Sequence, residues 1–265
     1  MTSVAIITGA SAGIGAEIAR VFANNGHTLV LVARREERLA ALAAEIAAAG
    51  HPAPMVLPID LALPDATARV GNALAARALA PQYIVNNAGF GLIGLAAALD
   101  RAEQRAMIDL NIRALTELSL AFVDSLARQR GGLLNVASVA GFLPGPRMAV
   151  YYATKAYVLS FSEALHRELK PRGVRVTCLC PGPVPTEFAA RAGNMNPLSP
   201  PLFTQSAARV AEAGYRGLMQ GRRLVVPGLG NKVIAFLPRI LPRALMLEIV
   251  DARQKSRIPR SAPRS

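Results

Sequence analysis

The stretch Val4-Ala5-Ile6-Ile7-Thr8-Gly9-Ala10-Ser11-Ala12-Gly13-Ile14-Gly15 decides the fold. Residues 4–7 form a short unbroken apolar run, as expected of a strand buried on both faces. Three glycines at G-x-x-x-G-x-G spacing follow, and residues 14–25 then read as a helix ended by Gly26. Strand, glycine turn and helix in this order open a βαβ unit. Glycine lets the backbone turn tightly and approach a pyrophosphate, and the helix N-terminus offers it free amides and partial positive charge. The commoner dinucleotide turn reads G-x-G-x-x-G. Here the specificity comes from the position after the first strand. Thr8, Gly9, Ser11, Gly13, Ile14 and Gly15 are therefore the expected cradle of a dinucleotide.

Outward from this turn, apolar runs at 28–32, 53–59, 83–86, 133–138, 173–180 and 224–226 alternate with helical segments at 35–49, 64–79, 102–128, 150–170 and 204–219. The alternation predicts a single α/β doubly wound parallel sheet of about seven strands with helices on both faces. Its ligand lies beyond the C-terminal strand ends. The Gly-, Pro- and Asn-rich residues 181–201 read as a lid over the site. The end of the second strand, Leu31-Val32-Ala33-Arg34-Arg35, lacks the acid that would bind a ribose 2′-hydroxyl. Arg34 and Arg35 suit a 2′-phosphate instead, which predicts NADP(H). Asp60-Leu61 closes the third strand, where the aspartate could accept from an adenine amino group. Asn87, Ala88 and Gly89 close the fourth, with Gly89 allowing close passage of a cofactor and asparagines tying adjacent loops.

Tyr151 and Lys155 are four apart and so share a helix face, and Ser138 ends the fifth strand. An ammonium beside a phenol moves its pKa, ordinarily about 10, toward working pH. Tyr151 can then exchange a proton with a carbonyl or alkoxide oxygen, and Ser138 can hydrogen-bond the same oxygen. With T-G-A-S-A-G-I-G, N-N-A-G, Asn111, Ser138, Y-Y-A-T-K and P-G-P-V-P-T in order, residues 3–190 resemble the short-chain dehydrogenase/reductase family, in its compact NADP(H)-preferring branch. The resemblance implies a Rossmann-like fold and a homo-dimer or homo-tetramer in which helices 102–128 and 150–170 form a four-helix interface. It implies that Lys155 also binds the nicotinamide ribose and that Asn111 holds a water in a proton relay. It further implies that Pro181, Gly182, Val184 and Thr186 lie against the carboxamide, with pro-S hydride transfer. The expected activity is interconversion of a carbonyl and a secondary alcohol. A 3-oxoacyl reductase at a membrane surface and a non-catalytic NADP-sensing scaffold are the alternatives.

The expected substrate wall, Ser138, Phe90, Phe142, Tyr152 and Phe188, with Met195, is mostly apolar and favours an apolar carbonyl compound. Cys178 and Cys180 read as small buried core residues without metal-ligand spacing. No tryptophan is present, and aromatics are sparse, which gives no support to a nucleic-acid stacking surface. No signal peptide or membrane span is visible, so the expected location is cytoplasmic. Of the net charge of +13, residues 216–265 supply +9 through eleven basic and two acidic residues. Residues 1–228 are expected to hold the cofactor and catalytic groups. Residues 229–265 form a basic, apolar helical extension with a disordered end. That extension could lie on the inner membrane surface, pack between subunits, or cap the substrate pocket.

Overall fold

The computed structural model describes residues 1–193 and 202–257. Its seven strands are β1 (Thr2–Thr8), β2 (Leu29–Ala33), β3 (Met55–Pro58), β4 (Leu79–Asn86), β5 (Gly132–Val136), β6 (Arg175–Leu179) and β7 (Leu224–Val225). They form one parallel sheet in the order β3-β2-β1-β4-β5-β6-β7, so the connection reverses direction between β1 and β4. The helices on one face are α1 (Gly13–Asn24), α2 (Glu36–Ala48) and α9 (Ala207–Met219), packed through Ile18, Phe22, Leu39, Leu42, Val210 and Leu218. The other face carries α3 (Ala66–Ala75), α5 (Leu115–Ala121), α6 (Val123–Arg128) and α7 (Ala149–Leu169), packed through Val70, Leu74, Leu118, Leu126, Leu165 and Leu169. Residues 4–7 of β1 and all of β2 are buried and have the continuous apolar sequences that two covered faces require.

Three elements differ from their sequence expectation. β4 begins at Leu79, where the periodicity predicts the end of a helix. Pro81 hides the strand's start, because it cannot donate to a ladder. The chain accommodates it with a register shift between Val4 and Ala5 of β1, and its carbonyl accepts from the Ser125 hydroxyl at 2.9 Å. The expected helix 102–128 is divided into α4 (Arg101–Ile108), a π-helical turn at Asp109–Ala114, α5 and α6, with a bend at Phe122. No Gly or Pro marks these breaks. The π turn admits an extra residue per turn, a feature found mostly at functional sites. Arg113 braces it by pairing with Asp109 at 3.1 Å and donating to the Ala62 carbonyl at 2.6 Å. The lid segment contains α8 (Glu187–Arg191), and residues 194–201, Met195 included, lie outside the described residues.

Past β7, α10 (Leu229–Phe236) and α11 (Arg243–Arg257) return over the site end of the sheet. Asp251 pairs with Arg147 at 2.8 Å, and the buried Gln254 donates to the Tyr152 hydroxyl at 2.9 Å. At the opposite end, His27 packs between Phe22 and Tyr83 at 5.2 and 5.0 Å, with Nε2 3.1 Å from the Tyr215 hydroxyl. Burial, aided by the Arg175 charge, holds the His27 pKa below its ordinary 6.5. The unfolded chain thus binds this proton more tightly. The stability from neutral His27 is fully present above the unfolded pKa and is lost as pH falls through the folded one. Thermal melts should therefore drop as pH falls below the ordinary histidine value of 6.5, and His27→Gln should flatten that drop. An unchanged slope in the variant would remove His27 as the cause.

Candidate active site

β1 ends in Thr8, whose hydroxyl donates to the Val85 carbonyl at 2.9 Å and accepts from the amides of Asn87 and Ala88 at 3.0 and 3.1 Å. Asn87 Nδ2 in turn donates to the Thr8 carbonyl at 3.0 Å. These bonds clamp the loops after β1 and β4 at the place where strand order reverses. Gly9 and Gly13 have φ of +66° and +57°, the left-handed region that glycine occupies freely. Gly15 is needed for close approach: a Cβ there would overlap the Gly9 carbonyl oxygen. Gly15→Ala should destabilise the fold by about 1–3 kcal/mol and weaken dinucleotide binding. Thermal melting and a cofactor titration check this, and a variant that melts and binds as the parent does would contradict it.

The groups around the turn fit a phosphorylated dinucleotide. Arg35 reaches back to the Ser11 hydroxyl at 3.1 Å and pairs with Glu187 at 2.7 Å. Arg34 lies 3.8 Å from the Asp60 carboxylate, and Asp60 also accepts from the Ala62 amide at 2.9 Å. Two exposed guanidiniums and a hydroxyl thus surround the end of β2, where Ala33 supplies no acid. Leu61 is buried in the core, so only its backbone faces this region. Ile14 and Val184 pack on one core cluster, and Thr186 lies against Gly13. The loop Pro181–Thr186 is thereby brought over the glycine turn. Thr186 also caps α8 by accepting from the Phe188 amide at 3.4 Å.

Beyond β5, Ser138 starts a single 3-10 turn, Val139–Phe142, and its hydroxyl accepts from the Ala140 amide at 3.1 Å. The Val139 amide donates to the Pro181 carbonyl at 3.0 Å, which joins this turn to the loop after β6. Tyr151 and Lys155 stand one turn apart on the buried face of α7. Burial pushes the Tyr151 phenol above its ordinary pKa of 10, and a hydrogen bond with the Ser138 side chain opposes that rise. Lys155 Nζ lies 5.9 Å from the centre of the Tyr151 ring and donates to the Val136 carbonyl at 2.9 Å. Burial lowers its pKa to about 8. The expectation that the ammonium draws the phenol toward neutral pH is thus reversed here. Desolvation dominates and favours the protonated phenol.

Asn111 sits on the π turn. Its Oδ1 accepts from the Phe90 amide at 3.1 Å, and its Nδ2 donates to the Phe90 carbonyl at 3.0 Å and to Thr154 Oγ1 at 3.1 Å. Its side chain therefore ties the loop after β4 to α7 beside Tyr151 and Lys155. Gly89 is small because a Cβ would stand 2.9 Å from Asn111 Oδ1.

A model of the short chain dehydrogenases matches residues 3–197. The chain belongs to the short-chain dehydrogenase family. It is 37% identical over 216 residues to sulfoacetaldehyde reductase 2 of Chromohalobacter salexigens, covering 80% of this chain and 85% of the relative. Among solved structures it resembles a short-chain dehydrogenase from Sphingobium yanoikuyae in complex with NADPH, with TM-score 0.79 and 32% identity over 100% of this chain and 99% of that one. It also resembles the bulky-bulky ketone specific alcohol dehydrogenase from Comamonas testosteroni, with TM-score 0.74 and 28% identity over 100% and 97% of the two chains.

As a short-chain dehydrogenase, this chain is an oxidoreductase of alcohol and carbonyl groups. Tyr151 packs in a wall with Met107, Met148, Phe90, Tyr152 and Phe188. Phe142, expected in the same wall, instead packs with Ala137, Val158 and Leu159. Ala140 of the same 3-10 turn packs in the cluster around Tyr151. Three residues outside the expected site set hold their neighbours in place. Thr154 joins Asn111 to the Tyr151 carbonyl, which accepts at 2.7 Å. Gln254 holds Tyr152 from a distant helix. Asn231 of α10 fills the space that a side chain on Gly182 would need.

Proposed function

We propose that this dehydrogenase reduces an apolar ketone or aldehyde to the alcohol with NADPH. The observation that carries the reading is the buried pair Tyr151 and Lys155 beside the half-buried Ser138 at the C-terminal strand ends, next to a glycine turn faced by two arginines. Gly9, Gly13, Gly15, Arg34, Arg35 and Thr186 would hold the cofactor, which supplies hydride when bound. Tyr151 donates its proton to the substrate oxygen. Ser138 hydrogen-bonds that oxygen and stabilises the developing charge. Lys155 returns a proton to Tyr151, and Asn111 holds the backbone on which this exchange depends.

The apolar preference is supported by how the nearby cations are used. Arg147 is paired with Asp251, and Arg191 pairs with Glu103 at 3.0 Å while its guanidinium lies 4.9 Å from the Phe90 ring centre. Both arginines beside the wall are thus already paired with acids. A 3-oxoacyl chain is the second reading, favoured by the same row of apolar side chains. With Tyr151 and Lys155 both in place, no observation favours a non-catalytic sensor. The test is consumption of NADPH, against NADH, with bulky aryl and alkyl ketones, 3-oxoacyl thioesters and sulfoacetaldehyde. Turnover of the apolar compounds supports the reading. Turnover of sulfoacetaldehyde alone would overturn it.

A further inference from the structure

Of the thirteen large apolar side chains that are exposed among the described residues, seven lie between 229 and 249. Leu229, Val233 and Phe236 recur at i, i+4 and i+7 along α10 and are 76%, 58% and 54% exposed, followed by Ile240 at 63%. Such a contiguous apolar stripe marks a contact surface. The opposite side of α10 is fixed: Asn231 is fully buried, and its amide donates to the carbonyls of Pro227 and Phe203 at 2.8 and 3.2 Å. The stripe is thus held outward by the fold.

The charge around the stripe selects its occupant. Lys232, Arg239 and Arg243 are exposed, and residues 229–249 contain a single acidic residue, the exposed Glu248. In a two-fold contact with a second copy, the same patch meets itself, so three cations from each copy would come together with only Glu248 of each to offset them. An anionic bilayer surface complements both components, with apolar side chains entering the acyl boundary and cations meeting the headgroups. None of the described helices is long and apolar enough to cross a membrane, which fits contact in the plane of the interface. We propose that α10 and the turn after it dock this enzyme on membranes rich in anionic lipid. The inner face of the same helix abuts Gly182 in the loop after β6, so docking places the substrate side of the enzyme near the bilayer.

The test needs no substrate, and its result is independent of whether the proposed reaction is correct. Full-length protein is sedimented with vesicles of phosphatidylcholine alone and of phosphatidylcholine mixed with phosphatidylglycerol. Binding is expected to the anionic vesicles and to weaken as salt rises. Val233→Ser/Phe236→Ser/Ile240→Ser and, separately, Lys232→Glu/Arg239→Glu should each lower vesicle affinity at least about tenfold while retaining NADPH binding. Wild-type protein that stays in the supernatant, or binds neutral vesicles equally well, would overturn the proposal. So would unaltered binding by the apolar variant. Dissociation of a wild-type oligomer by that variant in sedimentation velocity, without vesicle binding by the wild type, would assign the stripe to a second copy instead.

Discussion

Tyr151→Phe lowers kcat for carbonyl reduction by roughly two to four orders of magnitude. The substitution keeps the ring that packs on Phe188 at 5.3 Å and removes only the hydroxyl next to Ser138. NADPH affinity should stay within about threefold, since the hydroxyl is a small part of the binding surface. The loss therefore falls on the chemical step and not on the fold. Because burial holds the phenol above its ordinary value, Tyr151 remains protonated across the working range. The group that titrates nearby is Lys155, lowered to about 8. Reduction should thus slow as pH rises through about 8, where Lys155 loses the proton that resupplies Tyr151. Single-turnover rates across pH check both statements. A variant with near-parental kcat would remove Tyr151 from its role.

The second large effect concerns cofactor choice. Arg34→Ala/Arg35→Ala should raise the Kd for NADPH by roughly a hundredfold, as expected for two charge-assisted contacts of about 1.5 kcal/mol each. NADH binding should move by less than about threefold, because no acid at Ala33 awaits the free ribose hydroxyl. Arg35 carries more of the effect than Arg34, since it already lies against Ser11 in the glycine turn. Calorimetric titration of both cofactors reads the result. Equal weakening of NADPH and NADH would show that the arginines act on the turn and not on a 2′-phosphate.

The glycine turn, the strands that flank it and the Tyr151–Lys155 pair are legible in the sequence because local rules produce them. Glycines accept positive φ, strands covered on both faces are apolar throughout, and a spacing of four aligns side chains on a helix. The π turn at Asp109–Ala114 carries no such mark. It exists because Asn111 finds Phe90 and Thr154 across the fold, and those partners are remote in sequence. The start of β4 is hidden for a related reason: Pro81 argues locally against a strand, and only the shifted register with β1 admits it. Phe142 shows the limit for the substrate wall. Its place after Ser138 puts it near the site, but one tight turn decides which cluster receives the ring. The depressed Lys155 is likewise a property of burial in the completed core, which proximity to Tyr151 does not foretell.

The bond between Gln254 and Tyr152 joins positions 102 residues apart. A ribosome adding about 5–20 residues per second reaches Gln254 roughly 5–20 s after Tyr152. The sheet, the glycine turn and α7 can assemble during that interval, whereas the contact from Gln254 to Tyr152 forms only after synthesis has passed β7 and α10. Nascent protein therefore passes through a stage with the glycine turn formed and the contact from α11 to Tyr152 still to come.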